Sequence, residues 1–188
     1  MLIDELKNIA RNNGIVGAGG AGFPAYAKMT EKADTVILNC VECEPLLKLH
    51  RQLLATHTEE IIQMLDEVRE SFGAKEAVIG IKSEYVTTIK AIEEVIGDFP
   101  NVRICALKAA YPMGDEVVLI YEATGRVIKP GGLPIDENVV VYNVETMYNL
   151  YRAVHLNIPV TNKLVSIVGE IDHPLTVRVP LGLSLIHI

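Results

Sequence analysis

Apolar side chains recur at Ile3, Leu6 and Ile9 in a charged and amide-rich background. That spacing predicts an amphipathic helix over residues 3–12, with Asn13-Gly14 as its stop. Gly14–Pro24 (GIVGAGGAGFP) has no period and is a backbone-rich loop. Thr35–Asn39 (TVILN) is a short apolar run, expected as a buried strand that ends in Cys40-Val-Glu-Cys-Glu-Pro45. A helix is expected from about Leu47, and a second from Thr58 to Gly73 with Glu59 and Glu60 in its first turn. Ala77–Ile81 and Val102–Leu107 are further strands, separated by a helix from a cap at Ser83 to about Ile96. Residues 114–124 have helical character, Lys129–Pro134 breaks the chain, Val139–Tyr142 is a strand and Asn143–Val154 a helix. Strands alternating with helices in this way predict an α/β fold, a mostly parallel sheet covered by helices.

After Pro159 the period changes from helical to alternating. Lys163–Ile171 and Leu175–Val179, separated by His173-Pro174, predict a hairpin that opens a small β-rich module. The expected organisation is therefore a domain over 1–158 and the start of a second over 159–182. Leu183–Ile188 (LSLIHI) matches the translation of a common transposon-end sequencing adapter. These residues are expected to be a non-native tail, with the natural gene continuing past Gly182.

The composition, 49% apolar and 22% charged over 188 residues, is that of a globular chain with room for one α/β domain. A net charge of -7 argues against nucleic acid or an anionic membrane surface as partner. No apolar run approaches the roughly 20 residues of a bilayer span, so no direct membrane insertion is expected. The acidic, amphipathic N-terminus is neither a signal nor a transit peptide, which predicts a cytoplasmic protein. The cysteines, Cys40, Cys43 and Cys105, are odd in number. A redox reading of Cys40-Val-Glu-Cys43 needs a helix to open there, and Pro45 follows almost at once. A metal reading needs a second ligand pair. All three are read as small residues near buried strand ends, and no metal site is predicted.

Four motifs carry candidate chemistry. Gly17-Ala-Gly-Gly-Ala-Gly22 spells the dinucleotide pattern, but a helix precedes it and Phe23-Pro24 follows, so the ordinary strand–turn–helix context is missing. A glycine loop still lets backbone approach an anion or a flat ring, with Lys28 just downstream as a matching charge. Asn39, Glu42 and Glu44 mark the carboxyl end of the first strand, where ligands of open α/β sheets bind. Tyr111-Pro-Met-Gly-Asp-Glu116 and Asn143-Val-Glu-Thr146 are strand-to-helix corners, which simple capping also explains.

Taken together and in this order, GxGGAGFP, NxxExEP, YPxGxE and NVET resemble the flavoprotein family of the NADH-binding subunit of respiratory complex I. Within it, the chain is most similar to the C subunits of Rnf-type complexes and to soluble relatives such as the cobalamin reductases and the proline-reductase electron carriers. The resemblance covers residues 14–182 and implies a complex I flavoprotein-type FMN/NADH domain followed by the start of a β-grasp (SLBB-like) module. It implies FMN contacts at Gly17, Gly19, Gly20, Gly22, Lys28, Asn39, Glu42, Gly114 and Asp115, and a phosphate end at Asn143 and Thr146. NADH, the hydride donor, is expected at Phe23, Glu44 and Glu116.

The family's 4Fe-4S clusters are expected in a C-terminal part absent from this chain, together with other electron-transfer subunits or an acceptor protein as partners. A place in a complex on the inner face of the membrane follows from the same resemblance. The chemistry belongs to the cofactor, so no side chain is assigned as acid, base or nucleophile. Ala18 stands where the complex I subunits have arginine, Val41 where they have aspartate, and Tyr142-Asn143 where they have paired asparagines. Those departures support a second reading, a non-catalytic assembly module with a degenerate cofactor site.

Overall fold

Four of the apolar runs form one sheet in the computed structural model, which describes residues 1–184 and Ile186. The strands are β1 (Thr35–Cys40), β2 (Glu76–Lys82), β3 (Val102–Leu107) and β4 (Val139–Asn143). They pair in the order β3-β2-β1-β4, and every pairing is parallel. The two central strands are covered on both faces, which is why they read as unbroken apolar runs. Alternate residues serve opposite layers. Val36, Leu38, Ala77, Ile79, Ile81, Val140 and Tyr142 face helices α1 (Ile3–Asn12), α2 (Leu49–Thr56), α3 (Thr58–Phe72), α4 (Val86–Val95) and α6 (Val144–Leu156). Ile37, Val78, Val139 and Val141 face a thinner layer built on α5 (Glu116–Thr124). Helix α5 comes close enough that a Cβ on Gly80 would stand 2.5 Å from Leu119 Cδ1.

Helix ends follow the chemistry of their residues, with some corrections to the sequence expectations. Helix α3 ends at Gly73, which takes φ 68°. Ser83 does not cap α4: its N–H donates to Leu107 O (2.8 Å) beyond the β2–β3 pair, and α4 starts three residues later. Thr58 opens α3 but turns its hydroxyl back to donate to Leu54 O (2.7 Å), joining α2 to α3. The expected helix at 114 begins at Glu116, because Asp115 is the cap and accepts from Val117 N (3.0 Å) and Val118 N (3.3 Å).

At the amino edge of the sheet, Arg126 grips Asp34 in a two-pronged pair (2.6 and 3.1 Å) and also donates to Glu137 O (2.7 Å). Burial works against the Asp34 carboxylate, yet the hydrogen bonds from Arg126 and Thr35 and the nearby cations hold its pKa below the usual value.

Strands β5 (Asn162–Ile167) and β6 (Leu175–Pro180) form an antiparallel hairpin. Strand β5 stops before the expected Ile171, because the chain bends at Gly169, where φ is 115°. A lone hairpin is marginal in water, and this one is tied down. The carboxylate of Glu145 on α6 accepts from Leu164 N (3.1 Å) and pairs with Lys163, while Val160 N donates to Asn13 O (3.0 Å). Within the expected tail 183–188, Leu185, His187 and Ile188 lie outside the described residues.

Candidate functional site

The parallel register of β1 and β4 sets Asn39 opposite Asn143 at the carboxyl edge of the sheet. The glycine loop folds over this edge. A bridge joins Val16 to Pro24, and Gly17 N donates to Phe23 O (2.8 Å). Helix α6 secures the loop from the side: the Thr146 hydroxyl accepts from Ala18 N (2.9 Å) and donates to Val16 O (3.3 Å). Gly19 lies so close to the edge that a Cβ there would stand 2.6 Å from Asn143 Nδ2. The result is a cleft of about 220 Å³ that brings together Gly17, Gly19, Gly20, Phe23, Lys28, Asn39, Glu116, Asn143 and Thr146.

Gly20 differs from Gly19 and Gly22. Its φ is not positive, and among the described residues no atom lies within 4 Å of a Cβ built on it. No neighbour among the described residues and no positive φ calls for a glycine at this position.

The other expected residues sit around the cleft rather than in its lining. Gly22 takes φ 73° where the loop turns. The Gly114 carbonyl accepts from Asn39 Nδ2 (3.0 Å), and a Cβ on Gly114 would meet Val41 O and lie 2.8 Å from Cys43 Sγ. Asp115 is occupied as the α5 cap and so aims Glu116 at the cleft. Glu42 is buried behind the edge, with Oε1 accepting from His50 N (2.9 Å) and Oε2 3.8 Å from Arg51 Nε. At 3.8 Å that is an ion pair and not a hydrogen bond, which leaves Oε2 without a donor among the described residues. Burial pushes the Glu42 carboxyl up, against the opposing pull of the His50 N–H and Arg51. Glu44 is exposed and lines neither the cleft nor the cavity beside it.

Two features were not found from sequence. Lys28 Nζ lies 3.4 Å from both Glu116 Oε1 and Val141 O, and across this pair a second cavity of about 560 Å³ adjoins the cleft. Phe23, Lys28, Glu116 and Val141 line both spaces, and Leu133-Pro134-Ile135 adds apolar wall to the larger one. The sequence showed that segment only as a chain break. His50 is the second feature: Asn143 Nδ2 lies 3.1 and 3.5 Å from its two ring nitrogens. Burial and then the Lys163 charge lower the imidazole pKa to about 4, so it is neutral at pH 7. Tyr142, one of the departures from the complex I subunits, is a core residue that also lines the cleft, and burial pushes its phenol far up.

A parallel sheet with a glycine-walled cleft at its carboxyl edge defines an α/β cofactor-binding domain. The sequence profile described as the Nuo51 FMN-binding domain, of complex I 51 kDa type, matches residues 10–152, and the chain belongs to that family. The cobalamin reductase PduS of Salmonella typhimurium is 40% identical over 182 residues, which are 97% of this chain and 40% of the relative. The C subunit of the Na(+)-translocating ferredoxin:NAD(+) oxidoreductase complex of Acetobacterium woodii is 33% identical over 184 residues, 95% of this chain and 42% of that one. The chain thus spans about 40% of the length of these relatives. A solved NAD+-reducing NiFe hydrogenase in its air-oxidized state shares the fold, with a TM-score of 0.81 at 24% identity over 97% of this chain and 37% of its own. The relatives are oxidoreductases of electron transfer. Among the described residues no helix is long and apolar enough to cross a membrane, and no group of three or more His, Cys, Asp or Glu could hold a metal ion.

Proposed function

We propose that the cleft holds FMN and that the adjoining cavity receives NADH, so that this chain is the hydride-accepting part of an electron-transfer flavoprotein. The observation that carries the reading is Gly20, a glycine that no neighbour among the described residues calls for, on the wall of a cleft that Gly17 and Gly19 also line. FMN supplies the hydride acceptor and the change from a two-electron donor to single electrons. The protein contributes position and charge. Gly17, Gly19 and Gly20 give a flat wall, with Gly22 turning the loop back. Thr146 holds that loop on the first turn of α6, and Asn143 caps the helix, whose N-terminal end suits a phosphate. Asn39, Gly114 and Asp115 fix the turn that presents Glu116, which orients the nicotinamide side, and Phe23 offers its ring to the adenine. Lys28 stands between the two spaces and serves both.

Iron–sulfur clusters, which no group of the described residues would hold, would take the electrons onward in other electron-transfer partners. The hairpin is the opening of an SLBB-like module after a domain over 1–158, and the protein works in the cytoplasm, peripheral to a membrane complex. The competing reading, an assembly module without cofactor, draws on the burial of Val41 and Tyr142 at positions polar in the complex I subunits. Anaerobic addition of NADH to the FMN-loaded chain separates the two. Bleaching of the visible flavin band supports hydride transfer, and an unchanged band with FMN bound refutes it.

A further inference from the structure

The first turn of α6 faces two ways. Asn143 and Thr146 face the cleft, while Glu145 between them is 3% exposed and faces the hairpin. Asn143 Oδ1 caps the helix by accepting from Glu145 N (2.9 Å), which leaves its Nδ2 end toward Gly19 and His50. A buried carboxylate in the first turn works against any anion at that helix end, because it cancels the positive end of the peptide dipoles. Lys163 of β5 removes that opposition: its ammonium pairs with Glu145 Oε2 while Leu164 N donates to Oε1 (3.1 Å). The Lys163 charge also reaches the other side of the corner, since it is what, after burial, holds the His50 imidazole unprotonated.

We propose that Lys163 is a positioning and specificity-determining residue: by neutralising Glu145 from the hairpin, it keeps the α6 corner of the cleft open to the phosphate of FMN, so that the chain selects FMN over riboflavin. This rests on the reading of the cleft as a flavin site. It gives the hairpin a task within that site, although neither Lys163 nor Glu145 lines the cleft.

The test compares wild type, K163M, E145Q and the double variant K163M/E145Q by fluorescence titration with FMN and with riboflavin. K163M leaves an uncompensated carboxylate and should weaken FMN about tenfold or more, with riboflavin affected about threefold at most. The double variant removes both charges while keeping an acceptor for Leu164 N, and should return FMN affinity to within about threefold of wild type. A purely structural role would lower the melting temperature and weaken both flavins alike. That result, or unchanged FMN affinity in K163M, would overturn the proposal.

A second measurement needs no flavin: inorganic phosphate titrated against the backbone amide signals of residues 144–147. Shifts present in wild type and lost in K163M support the role of Lys163 in keeping the corner open to phosphate; should neither flavin bind, the flavin reading and the selection of FMN fall while that role stands. Equal shifts in the two proteins, or none in wild type, would overturn it.

Discussion

Lys28 Nζ stands 3.4 Å from Glu116 Oε1, and this pair lies at the boundary between the glycine-walled cleft and the larger apolar cavity. Both side chains are more than a third exposed, so their mutual attraction adds little to stability. Their value is positional. The pair holds opposite charges where the two proposed ligands meet.

Glu116→Gln therefore tests the division of labour between the spaces. A charged group making one hydrogen bond is worth about 1.5–3 kcal/mol, so NADH binding should weaken about tenfold or more, with FMN affected less. Lys28→Met, which removes a cation lining both spaces, should weaken both ligands. Separate titrations with FMN and NADH check this, and equal losses of both in E116Q would contradict it.

The two neighbouring glycines should behave differently. In Gly19→Ala the new methyl meets Asn143 Nδ2 at 2.6 Å, so either the loop or the α6 cap must give way. Overpacking of this kind costs about 1–3 kcal/mol and should appear as a lower melting temperature. In Gly20→Ala the methyl meets nothing within 4 Å among the described residues. Thermal denaturation should place G20A within about 0.5 kcal/mol of wild type, apart from the general glycine-to-alanine gain.

Acid should destabilise the fold in a window set by two groups. His50 has its pKa lowered from 6.5 to about 4, so between those values the unfolded chain binds a proton that the folded one refuses. Stability is present above the upper value and falls as pH drops through the window. Asp34, held low by Arg126, adds a loss of the same sign as pH falls further. Glu42 has its carboxyl pushed up and acts in the opposite sense, gaining stability on protonation. Melting temperatures measured from neutral pH down to pH 5 should decline in wild type and decline less in His50→Gln. Parallel slopes would remove His50 from the account.

Much of this architecture was legible because burial writes itself into sequence. The strands β1, β2 and β4 are covered on both faces and appear as unbroken apolar runs, and the glycine loop and the two helix corners appear as local motifs. What stayed hidden depends on residues that meet only after folding. His50 reaches Asn143 across a separation of 93 residues, and although a motif marks Asn143, no period or motif marks His50. Leu133-Pro134-Ile135 reads as a chain break because proline and glycine interrupt every local pattern, yet it walls the larger cavity. Ser83 read as a helix cap from its position alone, but its backbone was already engaged at the sheet edge. Glu42 had a motif and a plausible charge, and only burial shows it turned toward α2.

The central claim, FMN lying against the glycine loop, is tested most directly by one equilibrium measurement. Purified chain is mixed with FMN, dialysed, and examined for the visible flavin band beside Gly20→Val, whose side chain would occupy the open face of the loop. Wild type should retain close to one equivalent, and the folded variant should retain little. Retention of equal flavin by both, or of none by wild type, would contradict the account.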